Sequence, residues 1–557
     1  MTTAIAHVGR NNIKYPVGME SSIDLTPYQS VSDLLGRSLK QFAANPAFTC
    51  MGRTLTYSEL DAMSANFAAY LQHHTDLKPG DRIAVQLPNI LQYPVVVFGA
   101  LRAGLVVVNT NPLYTEREME HQFNDSGARL LVVYAGMADK ALRVKGKTPL
   151  EHIICTEIAD FHPPLKRLLV NTVVKKVKKM VPPYDAAGVV PLRQVMAKGA
   201  KARYTPVQRT QDDTAVLQYT GGTTGVAKGA ELTHKNLIAN MLQCYQFFNL
   251  ALEPGEETFI APLPLYHIYA FTVHCLVIME TGNHNVLIPN PRDIPGFVKE
   301  LGKWQFSGFA GLNTLFVALM NHPDFAKLDF SKLKLTISGG MALTRNAAER
   351  WEKMTGCSVS EGYGLTETSP VISFNPPGYG QLGTIGIPAP DTEVQVVDPE
   401  GNVLPVGEAG ELCVRGPQVM KGYWNRPKET EKSISNDGWF KTGDVAVIQE
   451  DGYMRIVDRM KDMVVVSGFN VYPNEVEDIL VQHDAVVECA VVGVPDETSG
   501  EAVKAFIVTN RDVTDDELVQ YCRKELTAYK VPRQFERRTE LPKTPVGKVL
   551  RRELRDQ

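Results

Sequence analysis

None of the eight cysteines, scattered from Cys50 to Cys522, forms a C-x-x-C pair. That absence argues against a zinc ribbon or a disulfide framework and fits a reducing compartment. Long apolar runs are missing too. The most apolar stretch, residues 94–108, is interrupted by Gly99, Arg102 and Gly104, which makes it too broken to span a bilayer. Residues 1–16 have no apolar core of the kind a secretory leader needs. Charge of one sign is not in excess either: the net charge of −4 gives no reason to expect a nucleic-acid partner. What is present is ordinary for a globular protein, with 44% hydrophobic and 22% charged residues. A length of 557 residues exceeds one hydrophobic core, so two or more domains are expected. The expected location is the cytoplasm; nothing in the sequence fixes an oligomeric state.

Residues 219–229 read Tyr-Thr-Gly-Gly-Thr-Thr-Gly-Val-Ala-Lys-Gly. The apolar run 215–217 before them reads as a strand, and 231–242 after them as a helix. Gly221, Gly222 and Gly225 let backbone N–H groups approach an anion. Thr220, Thr223 and Thr224 add hydroxyl donors, and Lys228 adds a charge. A Walker-type loop needs Ser or Thr directly after its Gly-Lys, whereas Gly229 follows Lys228. The segment therefore suggests a phosphate ligand outside the Walker class; a solvated surface loop is the alternative.

Strand and helix signals alternate around it: strand 81–86, helix 90–103, strand 104–108, a capping box at Thr115 and Glu118, then strand 128–134. This pattern predicts doubly wound, mostly parallel α/β sheets. Residues 158–205 interrupt it. Within them, 165–181 is bounded by Pro163-Pro164 and Pro182-Pro183. As a helix it gathers Leu165, Leu169, Val173, Val177 and Met180 on one face and Arg167, Lys175, Lys178 and Lys179 on the other. Two readings stay open. The helix lies on an anionic surface, such as the inner face of the cytoplasmic membrane, or it packs on the protein and keeps its lysines in water.

The alternation then resumes. Strand 259–265 ends at Tyr266-His267, strand 333–338 at Gly339-Gly340, and strand 357–360 at Glu361-Gly362-Tyr363-Gly364-Leu365-Thr366-Glu367. In doubly wound folds ligands bind beyond the carboxyl ends of strands. From about 384 short alternating strands (392–397, 410–415, 444–449, 453–458) predict a small antiparallel β-barrel or sheet. From about 460 a helix, two strands and a further helix, the last opened by Thr514 and Glu517, predict a small α+β unit.

In this order the segments 219–229, Tyr266-His267, 361–367, Lys441-Thr442-Gly443-Asp444, Asp458-Arg459 and 542–548 resemble the acyl-adenylate-forming superfamily of acyl-CoA synthetases, luciferases and adenylation domains. The stretches 437–461 and 467–475 are most similar to bacterial long-chain fatty acid–CoA ligases. The resemblance covers nearly the whole chain. It implies an N-terminal domain over 1–459, its barrel-like part at 383–459, and a mobile C-terminal domain over 460–557. It also implies ATP, Mg²⁺ and CoA as cofactors or co-substrates and a fatty acid as substrate. A carboxylate would attack the α-phosphorus to give acyl-AMP and pyrophosphate, and the CoA thiol would then displace AMP.

Residue by residue, the resemblance assigns the β- and γ-phosphates to the Thr220–Gly225 loop with Lys228, and Mg²⁺ to Glu367 with Thr220. Thr366 takes the α-phosphate. The nucleoside falls to Gly339, Gly340, Glu361, Gly362, Tyr363, Gly364, Asp444 and Arg459. Lys548 and His267 are the implied catalytic residues, Lys461 the hinge and Gly468 the wall of the pantetheine path. Phe271 occupies a tryptophan gate position of the acyl pocket. Met460 and Ala227 depart from the family's usual lysine and proline. Taken singly, several of these residues have plainer readings: Glu367 as a helix-terminal carboxylate, Asp444 as a turn residue, Tyr363 as core, Lys548 as a solvated lysine. A medium-chain or aryl acyl-CoA ligase, a carrier-loading adenylation enzyme and a non-catalytic binding paralogue are the competing functions.

Overall fold

The computed structural model describes residues 13–220, 227–467, 469–496, 498–544 and 549–555. Two large sheets organise the chain. One orders its strands Gly422–Tyr423, Lys228–Thr233, Thr214–Thr220, Val106–Asn109, Arg82–Gln86, Ala128–Tyr134, His152–Thr156, Val190–Pro191. From Thr214–Thr220 onward all pairings are parallel. Strands covered on both faces must be apolar throughout rather than alternating, and Ile83, Ala84, Val85, Leu130, Leu131, Val132 and Val133 are all fully buried. The nine-stranded second sheet is parallel from Pro46–Cys50 through His284–Leu287, Thr258–Ala261, Gly308–Gly311 and Leu335–Ser338 to Val359–Gly364. Antiparallel strands close both of its edges.

Polar side chains fasten the two sheets together where their strands end. Asn89 donates to the carbonyls of Ala261 (3.1 Å) and Leu263 (2.8 Å) and accepts from the N–H of Leu265 (2.9 Å). The Tyr93 hydroxyl donates to Asn109 Oδ1 (2.7 Å) and lies 2.8 Å from the Leu265 carbonyl. Gln218 Nε2 donates to the Tyr266 carbonyl at 2.9 Å. Each group is buried or nearly so, and each is satisfied, as a buried polar group must be.

Three expectations change. Residues 228–233 form a strand rather than the start of a helix, paired antiparallel with Thr214–Thr220; the helix begins only at His234. Thr233 sets that start, because its hydroxyl accepts from Asn236 N–H while Asn236 reaches back to the Thr233 N–H. The strand after Cys357 runs on through Gly364, since Gly362, Tyr363 and Gly364 pair with the strand Val371–Phe374. Over 165–181 the helix Pro164–Thr172 widens into a π-helix, Val173–Val177. It docks by its polar side: Asn171 Oδ1 accepts from Ala159 N–H at 3.0 Å, and Lys166 donates to the Met51 carbonyl. The leucines face outward instead, Leu165 at 85% exposure.

The predicted antiparallel region is a four-stranded sheet in the order Glu393–Val397, Ala409–Arg415, Phe440–Ile448, Met454–Arg459. A 3₁₀ turn, Met460–Asp462, leads from it into a unit with its own core, which includes Val464, Val476, Leu480, Val491, Val503, Ile507 and Leu518. The main core runs from Ile13 to Met454. Among the described residues no helix is long and apolar enough to cross a membrane.

Candidate active site

The strands that flank the glycine-threonine segment, Thr214–Thr220 and Lys228–Thr233, pair antiparallel. Thr220 and Lys228 pair directly across its base, so its two ends are fixed by one ladder step. Gly221, Gly222, Thr223, Thr224 and Gly225 lie outside the described residues, as do Gly468 and Lys548. Because a strand follows the segment, a helix dipole is not what would attract an anion there; backbone N–H groups, hydroxyls and Lys228 are left to do so. Lys228 Nζ is 2.9 Å from Glu429 Oε2 and lies 4.6 Å from the centre of the Tyr423 ring.

That tyrosine links the strand pair to the acid at 367. Its hydroxyl donates to Glu367 Oε1 at 2.8 Å. Glu367 lies in the 3₁₀ turn Thr366–Thr368, and its carbonyl accepts from Met420 N–H at 2.8 Å. The side chain is buried at 9% exposure. Burial pushes its carboxyl above the usual range, opposed by the Tyr423 hydroxyl and by the fields of Lys228 and Arg459.

Arg459 belongs to a second cluster. It lies opposite Asp444 on neighbouring antiparallel strands, with Nε 3.1 Å from Asp444 Oδ1. The Tyr363 hydroxyl donates to Asp444 Oδ2 at 2.6 Å. Burial and the adjacent Asp444 charge hold that phenol well above its usual range, so it donates and does not ionise. Arg459 pairs with Asp444, and its field also opposes the rise at Glu367. Gly364 allows the close approach here: a Cβ on it would fall 1.9 Å from the Pro370 carbonyl oxygen. Gly340 has φ +82°, with open space where a Cβ would be. A Cβ on Gly339 would meet the Gly362 carbonyl and the Tyr269 ring at 3.4 Å, which brings the Gly339-Gly340 turn and the 361–364 strand side by side. Glu361 accepts from Leu343 N–H at 3.1 Å. Desolvation, with Asp478 adding to it, pushes its carboxyl up to about 8.

His267 caps the short helix Ile268–Ala270: its Nδ1 accepts from Tyr269 N–H at 3.3 Å. Burial lowers the imidazole to about 4, so the ring is neutral at pH 7 and its free nitrogen carries the proton. The helix runs straight into a π-helix, Phe271–Val277, in which Phe271 is fully buried. Lys461 is exposed on the 3₁₀ turn between the two cores.

Tyr423 and Glu429 are the site residues that sequence reasoning missed. Tyr423 belongs to a two-residue strand, too short to leave a periodic signal, and its acidic partner is 56 residues away.

The AMP-binding enzyme family matches residues 35–424, and the AMP-binding enzyme C-terminal domain matches residues 475–548. A long-chain-fatty-acid–CoA ligase of Salmonella typhimurium is 51% identical over 546 residues, covering 98% of this chain and 97% of its own. One from Escherichia coli O157:H7 is likewise 51% identical over the same shares. The crystal structure of ATP-bound MatB from Rhodopseudomonas palustris superposes with a TM-score of 0.82 at 28% identity, covering 94% of this chain and 98% of that one.

Proposed function

We propose a mechanism on the premise that this chain belongs to the AMP-binding enzyme family. It is an acid–thiol ligase that activates a long-chain fatty acid with ATP, releases pyrophosphate, and passes the acyl group from acyl-AMP to CoA. Identity of about one half with long-chain ligases, sustained along the whole chain, carries this reading over the medium-chain, aryl and non-catalytic alternatives.

In our assignment of roles, Asp444 accepts hydrogen bonds from the ribose diol. Arg459 pairs with that carboxylate, and the bond to Asp444 orients the Tyr363 ring to stack on adenine. Gly339, Gly340, Glu361, Gly362 and Gly364 form the wall beside it. The β- and γ-phosphates fall to Thr220, Gly221, Gly222, Thr223, Thr224, Gly225 and Lys228, and the α-phosphate to Thr366. Glu367 fits a hard cation: it is a buried carboxylate held by one phenol, and burial raises its pKa, as for an acid short of positive charge. Glu367 and Thr220 would hold Mg²⁺, which when bound draws charge from the phosphate oxygens.

Adenylation brings two anions together, so cancelling charge and fixing approach are what the protein contributes. The neutral His267 donates a hydrogen bond at the carboxylate end without adding a proton acceptor of its own. The fatty acid oxygen bonds to the α-phosphorus as the bond to pyrophosphate breaks, and Lys548 stabilises the charge gathering on the α-phosphate. Rotation at Lys461 withdraws Lys548 and brings the strand pair around Gly468 to the site, where the CoA thiolate attacks the acyl carbon and AMP leaves. Phe271 borders the acyl chain. The leucine face of 165–181 makes a peripheral contact with an anionic membrane, the source of the apolar substrate.

Pyrophosphate release across fatty acids of increasing length, with and without CoA, tests the main reading. A single turnover without CoA, sustained turnover with it, and rising kcat/KM toward long chains are expected. Preference for an aryl acid, or no release with any acid, would overturn it.

A further inference from the structure

Glu367 is the acid assigned to Mg²⁺. Among the described residues no Lys or Arg forms an ion pair with it: Lys228 Nζ goes to Glu429 Oε2 at 2.9 Å, and Arg459 Nε to Asp444 Oδ1 at 3.1 Å. Its carboxylate accepts instead from a neutral donor, the Tyr423 hydroxyl, 2.8 Å from Oε1.

The backbone holds that tyrosine from several sides. Its short strand lies antiparallel to Lys228–Thr233, with Tyr423 opposite Ala230 and Gly422 opposite Glu231. Tyr423 N–H donates to Thr430 Oγ1 at 2.9 Å, and its carbonyl accepts from Arg426 N–H at 3.0 Å. Trp424 N–H donates to the Gly229 carbonyl at 2.8 Å. The same stretch also grips the turn that carries the acid, through the Met420 N–H on the Glu367 carbonyl. Residues 420–424 therefore hold Glu367 at two points, main chain and side chain, and are themselves laced to the strand that starts at Lys228. The Tyr423 ring meets Lys228, whose Nζ is 4.6 Å from its centre. One side chain thus touches an acid and a base that do not pair with each other.

The use of a phenol has a chemical consequence. A carboxylate accepts at two oxygens, and a phenol engages one of them without bringing charge. A lysine or arginine in that place would neutralise the acid beforehand and compete with a divalent cation for it. Lys228, the base against the ring, is paired with Glu429 instead. A hydrogen-bond partner behind a metal ligand sets the orientation of that ligand, and its loss typically costs about ten- to a hundredfold in metal affinity or activity.

We propose that Tyr423 is a positioning residue for the cation site: by holding Glu367 Oε1 with an uncharged donor, it fixes the orientation in which this carboxylate meets Mg²⁺ and leaves its charge for the metal. The proposal rests on the role given to Glu367.

The test compares full-length wild type, Tyr423→Phe, Glu367→Gln and the double variant. Affinity for the α,β-methylene analogue of ATP is measured by calorimetry with Mg²⁺ and again in EDTA, and the ratio of the two affinities is the gain due to metal. Tyr423→Phe keeps the ring against Lys228 and removes only the donor. It should cut the metal gain by about tenfold and leave affinity in EDTA within about twofold. In pyrophosphate release, the Mg²⁺ concentration for half-maximal rate should rise, while kcat at saturating Mg²⁺ changes much less. Glu367→Gln should abolish the metal gain, and adding Tyr423→Phe to it should cost nothing further, because the two side chains act as one unit. An undiminished metal gain in Tyr423→Phe, an equal loss with and without metal, or a further loss in the double variant would overturn the proposal. Melting temperature is followed throughout. Should Tyr423→Phe not fold, Thr430→Val, which removes the hydroxyl that receives the Tyr423 N–H, carries the same comparison with a smaller expected loss of metal gain. A full metal gain in Glu367→Gln would sink the metal role of Glu367 itself, a result separable from failure at Tyr423.

Discussion

At the scale of single residues, burial sets the chemistry. Three of the candidate site groups are displaced by desolvation, each toward its neutral form: Glu361, Glu367 and His267. Glu361 gives the cleanest measurement. Its folded carboxyl lies at about 8 against an ordinary value of 4.5, so between these pH values the folded chain holds a proton that the unfolded chain has lost. Its stabilising contribution is fully present below pH 4.5 and is lost as pH rises through 8. Glu361→Gln keeps the acceptor for Leu343 N–H and removes the titration. In the absence of ligands, the melting temperature of the variant should gain on wild type steadily from pH 5 to 8.5; parallel curves would contradict the assignment. Residue type was legible in the sequence here, but environment was not. Glu361 and Glu367 look alike as letters, while one meets a backbone N–H and the other a tyrosine hydroxyl.

Among the elements, caps and periodicity carried most of the prediction. The Thr115/Glu118 box opens its helix as the spacing requires, with both reciprocal bonds made. The buried strands 128–134 and 335–338 lie where apolar runs placed them. Errors arose where pairing outweighed local propensity. Residues 228–233 are a strand because 214–220 offers them a ladder partner, a non-local fact. The helix expected over 165–181 is present but ends at Val177, and which face docks is decided by Asn171 and Lys166 finding backbone partners. Its outward leucines, with Leu168 at 67% and Leu169 at 66% exposure, motivate the membrane proposal. Replacing Leu165, Leu168 and Leu169 with Gln should abolish flotation with vesicles rich in phosphatidylglycerol and leave activity on detergent-dispersed substrate intact. Equal flotation of variant and wild type would remove the proposal.

For the molecule as a whole, the arrangement is two α/β sheets joined at their strand ends, a four-stranded antiparallel sheet against them, and a small unit beyond a 3₁₀ turn. If rotation at that turn separates the half-reactions, stiffening it should divide them. Proline fixes φ near −65° and restricts the residue before it. Lys461→Pro should therefore retain one half-reaction near its normal rate and slow the other by about a hundredfold or more, because gating then limits that step. Pyrophosphate release and thiolation of supplied acyl-AMP, measured separately, decide it; both steps at wild-type rate would refute the hinge.

The α/β alternation around residues 81–134, the caps that start helices, the polar segments at strand ends and the membership of the chain in its family follow from the sequence alone, because each depends on residues within a few positions of one another or on motifs kept in linear order. Only the tertiary structure decided that Tyr423 meets Glu367, that Lys228 meets Glu429, and that Arg551 reaches Asp458 from 93 residues away. Those pairs are set by how sheets and turns pack at long separation, where neither spacing nor periodicity leaves a mark.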